Sequence, residues 1–107
     1  MFYEAGIDPI TEGNMQFIPR CYFSNNIKID SYIIPNTVLK IKELAFCRAK
    51  IKKIKFTENS ECYVIGQSAF EYSDLEEITL PKSLEYIEFG AFSHCEKLKK
   101  ITYLGTT

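Results

Sequence analysis

The stretch that decides the fold is residues 80–103, which read LPKSLEYIEFGAFSHCEKLKKITY. Its Ala91-Phe92 pair occurs twice more upstream, as Ala45-Phe46 and Ala69-Phe70, at spacings of 24 and 22 residues. Apolar residues recur at corresponding positions around each pair, which indicates an internal repeat. Before the pair these are Val38, Cys62 and Leu84, then Ile41, Ile65 and Ile87; after it they are Ile51, Leu75 and Leu98, then Ile54, Ile78 and Ile101, then Phe56, Leu80 and Tyr103.

A fourth, weaker copy precedes these three. Its Phe23 lies 23 residues before Phe46, and Tyr22 stands in the place of the alanine. The predicted array therefore spans residues 14–107, and residues 1–13 are expected to be an amino-terminal cap or lead-in. The four predicted repeats are about 14–35, 36–56, 57–80 and 81–103.

The spacing within each repeat predicts how the units assemble. The last three apolar positions alternate with polar residues, as in a strand that is buried on one face. A unit of this length cannot bury its own apolar face, so neighbouring units are expected to stack and to form a parallel sheet. The Ala-Phe segment is expected to turn the chain back through a short helical or 3₁₀ turn. The alanine is small because adjacent coils crowd there, and the phenylalanine fills the layer between them.

The repeat resembles a known family. The pattern L-P-x-x-L-x-x-I-x-x-x-A-F-x-x-C-x-x-L-x-x-I is similar to the BspA-like leucine-rich repeats, with the closest copy running from Leu80 through Cys95 to Ile101. Ala49 and Ser73 replace the cysteine of the pattern, and Gly66 alone keeps the glycine after the isoleucine. The resemblance implies an α/β-type leucine-rich repeat solenoid of about four repeats, β-rich and right-handed, with a parallel sheet on its concave face.

The resemblance also implies a class of function. Many members of that family are surface or secreted adhesion proteins and others are intracellular, so we expect a non-catalytic module that binds a protein partner. Two hypotheses follow: a fragment of a surface adhesin or antigen, and an intracellular scaffold or regulatory subunit. The chain offers no Gly-rich phosphate loop, HExxH or GxSxG motif, and we predict no catalytic residue, cofactor or metal.

Charge and hydropathy exclude several partners. The chain has 13 basic and 14 acidic residues and a net charge of −1, which predicts no nucleic-acid binding. No apolar run is long enough to predict a membrane span. The amino terminus lacks the features of a secretory signal, so the chain as given reads as cytoplasmic, or as a cell-surface protein if it is a fragment.

The four cysteines, Cys21, Cys47, Cys62 and Cys95, contain no CxxC pair, and the chain has one histidine. A zinc site is therefore not predicted. Cys62 and Cys95 share their repeat positions with small or apolar residues, which favours buried, unpaired thiols. Cys21 and Cys47 flank the phenylalanine position and are expected to be partly exposed. The even count also permits two disulfides.

The candidate binding face consists of the strand positions between the apolar ones. Their charge alternates from one repeat to the next, so each lysine pair is expected beside a glutamate pair. The alternation fits two interpretations, a face that recognises a partner and a ladder of cross-strand salt bridges that keeps an exposed sheet soluble. The candidate residues are Asp30, Ser31, Lys52, Lys53, Lys55, Glu76, Glu77, Thr79, Lys99, Lys100 and Thr102.

Two further surfaces are predicted. Four aromatic residues fall outside the core positions and are candidate contact residues, whereas His94 is expected to be a solvated loop residue. No amphipathic segment follows the last strand, so we expect self-association through residues 98–104 of this uncapped repeat. The four exposed aromatic residues are Phe17, Tyr72, Tyr86 and Phe89.

Overall fold

The computed structural model describes residues 16–24 and 28–105, and these form eight short strands with no helix among them. Every strand pairing between them is parallel. The predicted cap, residues 1–13, lies outside the described residues. The strands are β1 (Phe17–Ile18), β2 (Lys28–Ile34), β3 (Lys40–Ile41), β4 (Lys50–Phe56), β5 (Val64–Ile65), β6 (Glu77–Leu80), β7 (Tyr86–Ile87) and β8 (Lys100–Tyr103).

The strands form two parallel sheets because each coil of the chain contributes one strand to each sheet. The long sheet has the order β2-β4-β6-β8, and the short sheet has the order β1-β3-β5-β7. The solenoid of about four turns is therefore confirmed. The helical component that an α/β-type solenoid implies is absent from the described residues. The short sheet, which is built on the isoleucines before each Ala-Phe pair, was not predicted.

The register of the long sheet follows the repeat. Tyr32 pairs with Ile54, Ile54 with Ile78, and Ile78 with Ile101. The first three of these side chains are buried. This row is the one that the repeat alignment predicted, so the aligned apolar positions are neighbours in space.

The Ala-Phe segment turns the chain back as expected, but through hydrogen-bonded turns and not through a helix. In the second coil, the backbone N–H of Ala45 donates to Lys42 O and that of Ala49 donates to Phe46 O, each spanning three residues. Left-handed residues interrupt these turns, namely Leu44 at φ 59° and Arg48 at φ 61°. Hydrogen bonds over three residues are those of the 3₁₀ alternative. A helix cannot continue through a left-handed residue, so only the α-helical alternative was wrong.

The core contains a column of stacked phenylalanines. The ring centroids of Phe23 and Phe46, and of Phe46 and Phe70, are 4.9 Å apart, and those of Phe70 and Phe92 are 5.4 Å apart. The first three rings are fully buried, whereas Phe92 is half-buried at the end of the column. The backbone N–H of Phe46 donates to Ala69 O at 2.7 Å, so neighbouring coils are hydrogen-bonded directly at the alanine position.

The two ends of the described array differ in burial. Ile18 and Phe23 in the first coil are fully buried, like their counterparts in the interior coils. In the last coil, Ile87 is 50% exposed and Ile101 is 53% exposed. Because β7 and β8 each end a sheet, these strands also have an unpaired edge among the described residues.

Candidate functional site

The structure brings the predicted binding residues together on the outer face of the long sheet. Ser31 pairs with Lys53, Lys53 with Glu77, and Glu77 with Lys100, so these four residues form one continuous row across the four strands. The backbone N–H of Glu76 donates to Lys52 O, and the N–H of Lys99 donates to Glu76 O. The full candidate set has exposed or half-buried side chains and comprises Asp30, Ser31, Lys52, Lys53, Lys55, Glu76, Glu77, Thr79, Lys99, Lys100 and Thr102.

Lysine and glutamate alternate across this face and form ion pairs. Lys53 Nζ lies 3.6 Å from Glu77 Oε2, and Lys99 Nζ lies 3.7 Å from Glu76 Oε1. Both pairs are largely exposed to solvent, so each contributes at most about 1 kcal/mol to stability. The predicted neighbour relation of lysine and glutamate is therefore confirmed, and part of the face is a salt-bridge ladder.

Not every charge on the face is neutralised. Lys52, Lys55 and Lys100 are exposed and form no ion pair with any residue that the structure describes. Ile33, which pairs in register with Lys55, is 59% exposed. The outer face of the long sheet thus presents free ammonium groups beside an exposed aliphatic side chain.

A second ordered surface runs along the turns. Arg48, Tyr72 and His94 occupy the same position of successive coils, and all three are left-handed. The Arg48 guanidinium lies 4.6 Å from the centroid of the Tyr72 ring, and the Tyr72 and His94 rings stack with centroids 4.5 Å apart and planes 2° apart. His94 is exposed, as expected, but it is held in this stack. The sequence feature that could have predicted this stack is a planar side chain two residues after the phenylalanine in three successive repeats.

The other exposed aromatic residues agree with the sequence analysis. Phe17, Tyr72, Tyr86 and Phe89 are all exposed to solvent. Phe17 lies under a cation, because Lys42 Nζ is 5.0 Å from its ring centroid. These side chains lie outside the long sheet, so they do not contribute to the candidate face.

Chemistry at the cysteine beside His94 is constrained by its contacts. The Cys95 thiol donates to Phe70 O at 2.9 Å and contacts Ser73 Oγ at 3.6 Å, whereas the His94 ring stacks on Tyr72. The two side chains therefore have separate partners and do not form the hydrogen-bonded pair that an activated cysteine nucleophile needs. Within residues 16–24 and 28–105, no three His, Cys, Asp or Glu side chains are grouped to hold a metal ion.

All four cysteines are free thiols in the structure. Cys62 is buried, and burial raises its pKa to about 11. Burial also raises the pKa of the half-buried Cys95. The pKa of Cys47 is raised mainly by burial and further by the nearby carboxylate of Glu71. Cys21 and Cys47 are partly exposed, as expected.

We predict that Cys62 reacts with iodoacetamide only when the chain unfolds. Its raised pKa leaves about a hundredfold less thiolate at pH 8 than a thiol at 9.0, the ordinary value, and burial blocks access to the sulfur. Peptide mapping after timed alkylation measures the rate at each cysteine, with the chain in denaturant as the control. Equal rates at Cys62 in the folded and unfolded chain, or an intact mass that shows disulfides, would contradict this prediction.

Comparison with known proteins agrees with the fold. A family model described as BspA type leucine rich repeat region (6 copies) matches residues 1–107. The chain is also similar to the crystal structure of pneumococcal vaccine antigen PcpA, with 37% sequence identity and a TM-score of 0.80. That similarity covers 83% of this chain and 24% of the PcpA chain, so the chain spans about a quarter of that protein's length. No curated protein sequence matches the chain.

Proposed function

The chain belongs to the BspA-type leucine-rich repeat family, and on that premise we propose that it is a non-catalytic module that binds a protein partner through the outer face of the long sheet. The observation that carries the proposal is the regular array of exposed or half-buried polar side chains on the long sheet, whose inner side chains are mostly buried in β2, β4 and β6. Such a face is fixed in shape before a partner arrives, so little conformational entropy is lost on binding.

We further propose that the module is displayed at a cell surface, as part of an adhesin or antigen. The similarity to an antigen, PcpA, at 37% identity supports this role. Among the residues that the structure describes, none belongs to a helix long and apolar enough to cross a membrane.

The binding face is tested by placing a bulky side chain on it. Ser31→Tyr and Thr102→Tyr obstruct the outer face, whereas Gln67→Tyr puts the same ring on an exposed turn position as the matched control. With the partner captured by the parent chain, we expect both face variants to lose binding and the control to retain it. Equal binding by all three variants would contradict the proposed face. Display is tested separately, by whether antibodies to the chain label intact cells before permeabilisation.

We also propose that the last coil associates with a second copy of the chain. Ile101 and Leu104 are 53% and 60% exposed, beside the unpaired edge of β8. Every copy carries this same edge, and an unpaired strand edge with apolar side chains is a template for pairing with another such edge. The contact would bury the apolar layer that a neighbouring coil covers elsewhere in the solenoid.

Self-association predicts a sedimentation coefficient that rises with protein concentration. The double variant Ile101→Lys, Leu104→Lys should remain monomeric over the same range, because two buried ammonium groups would oppose the contact. Ile33→Lys is the matched control, since Ile33 is exposed to a similar extent but lies at the opposite edge of the long sheet. A parent chain that stays monomeric throughout would contradict the proposal.

A further inference from the structure

The outer face of the long sheet carries a charge that the chain as a whole does not. The chain has a net charge of −1. This face carries seven exposed lysines and only three carboxylates. The count covers the four strands β2, β4, β6 and β8 and the residues directly before β6 and β8. The positive charge of the molecule is therefore concentrated on this face. The lysines are Lys28, Lys50, Lys52, Lys53, Lys55, Lys99 and Lys100, and the carboxylates are Asp30, Glu76 and Glu77.

The excess of positive charge is greatest at the centre of the face. Strand β4 carries four exposed lysines, of which Lys53 alone has an ion-pair partner among the described residues. Lys55 alternates with the buried Ile54, whereas Lys52 is exposed because the alternation of β4 breaks between the buried Ile51 and Ile54. The two lysines are three residues apart, so their backbones are separated by about 10 Å. Glu76 and Glu77 are half-buried and already hold Lys99 and Lys53. The two central ammonium groups are thus open to an external anion.

An apolar contact lies beside these ammonium groups. Ile33, 59% exposed, pairs in register with Lys55 on the adjacent strand. An aliphatic side chain exposed between charged neighbours is a position that a partner can desolvate at little cost. The face therefore combines charge with one hydrophobic contact point.

We propose, building on the proposed function, that this face binds an acidic segment of a protein. Its carboxylates would pair with Lys52, Lys55 and Lys100, and an apolar side chain among them would cover Ile33. Charge complementarity selects the acidic partner, since positive and negative surfaces attract and like charges repel across an interface.

The pattern favours a protein over a uniform polyanion. Glu76 and Glu77 lie between the lysines of β4 and those at β8, so a nucleic acid or sulfated polysaccharide crossing the face would meet negative charge midway. The described outward positions of the long sheet also carry no aromatic ring on which a base could stack. A peptide can place its carboxylates at intervals, which avoids the glutamates.

The test measures binding of a fluorescent decapeptide of glutamates with one central leucine to the intact chain, by anisotropy. Lys52→Gln and Lys55→Gln should each weaken binding by about fivefold, the effect of losing about 1 kcal/mol. Ile33→Ser should weaken it by a similar factor. Lys82→Gln is the matched control, because Lys82 is exposed in the turn after β6 and should leave affinity unchanged. Glu76→Gln with Glu77→Gln should strengthen binding, since it releases Lys99 and Lys53.

Two outcomes would overturn the inference. One is unchanged affinity in the double variant Lys52→Gln, Lys55→Gln, and the other is tighter binding of heparin or an oligothymidine than of the peptide with the same lysine dependence. These results are distinct from a failure of the proposed function. If Ser31→Tyr loses the partner that the parent chain captures but the double lysine variant still binds it, the face binds a partner. The proposal that this partner offers an acidic segment is then wrong.

Discussion

Phe70→Ala is expected to lower the free energy of unfolding by about 3–5 kcal/mol, the loss typical of a buried phenylalanine. The ring is fully buried and stacks between Phe46 at 4.9 Å and Phe92 at 5.4 Å. Its removal leaves a cavity between two coils whose backbones are tied together by hydrogen bonds, so the coils cannot close the gap. Urea denaturation followed by circular dichroism measures the loss.

Two nearby aromatic residues serve as controls for this effect. Phe92→Ala should cost less than Phe70→Ala, because Phe92 is half-buried and stacks on one side only among the described residues. Tyr72 is 45% exposed, and exposure alone would put the loss in Tyr72→Ala under about 1 kcal/mol. Its stack with Arg48 and His94 raises the expected loss to about 1–2 kcal/mol. Equal losses in Phe70→Ala and Tyr72→Ala would contradict the assignment of interior and exterior positions.

The repeat pattern predicted the long sheet because burial forces a choice at every strand position. Shifting a strand by one residue would move Ile54 to solvent and Lys53 into the core, so the sequence determines the register. The same constraint places Lys53 and Lys55 on the outer face, whereas Lys52 is exposed where the alternation breaks between Ile51 and Ile54. It could not predict which lysines would find a carboxylate, because an ion pair depends on side-chain rotamers that cost little to change.

The backbone conformation of the turns and the presence of the short sheet could not be predicted, for local reasons. Strands of two residues, such as Val64–Ile65, are too short to show an alternating pattern. Glycine and asparagine are the residues that signal left-handed backbone. Among the described left-handed positions Gly90 alone is a glycine, whereas others are filled by residues such as Leu44 and Tyr72. Packing between coils imposes that conformation on side chains that do not favour it, and only the folded chain shows this.

Gly66→Ala is expected to lower the free energy of unfolding by about 1–3 kcal/mol, as overpacking does. Gly66 is buried directly after β5 of the short sheet, and its N–H donates to Ile41 O at 2.8 Å. A Cβ at this position would lie 2.7 Å from Ile41 O, 2.8 Å from the carbonyl carbon of Lys42 and 2.8 Å from Glu43 N. All three atoms belong to the backbone, so no side-chain rotation relieves the contact and the two coils must move apart. Denaturant unfolding measures the loss.

Gly90 is the control that separates crowding from backbone conformation. Its φ is +69°, and the nearest atom to an added Cβ is the flexible Ser68 Oγ at 3.3 Å. Gly90→Ala should therefore lose stability through its left-handed backbone, and Gly90→Asn should recover part of that loss because asparagine tolerates this conformation. Gly66→Asn should be no more stable than Gly66→Ala, since the asparagine side chain meets the same backbone atoms. Lys42 and Glu88 occupy the position of Gly66 in the neighbouring coils, so a fully stable Gly66→Ala would mean that this coil relaxes into their conformation and that close approach is not why glycine stands there.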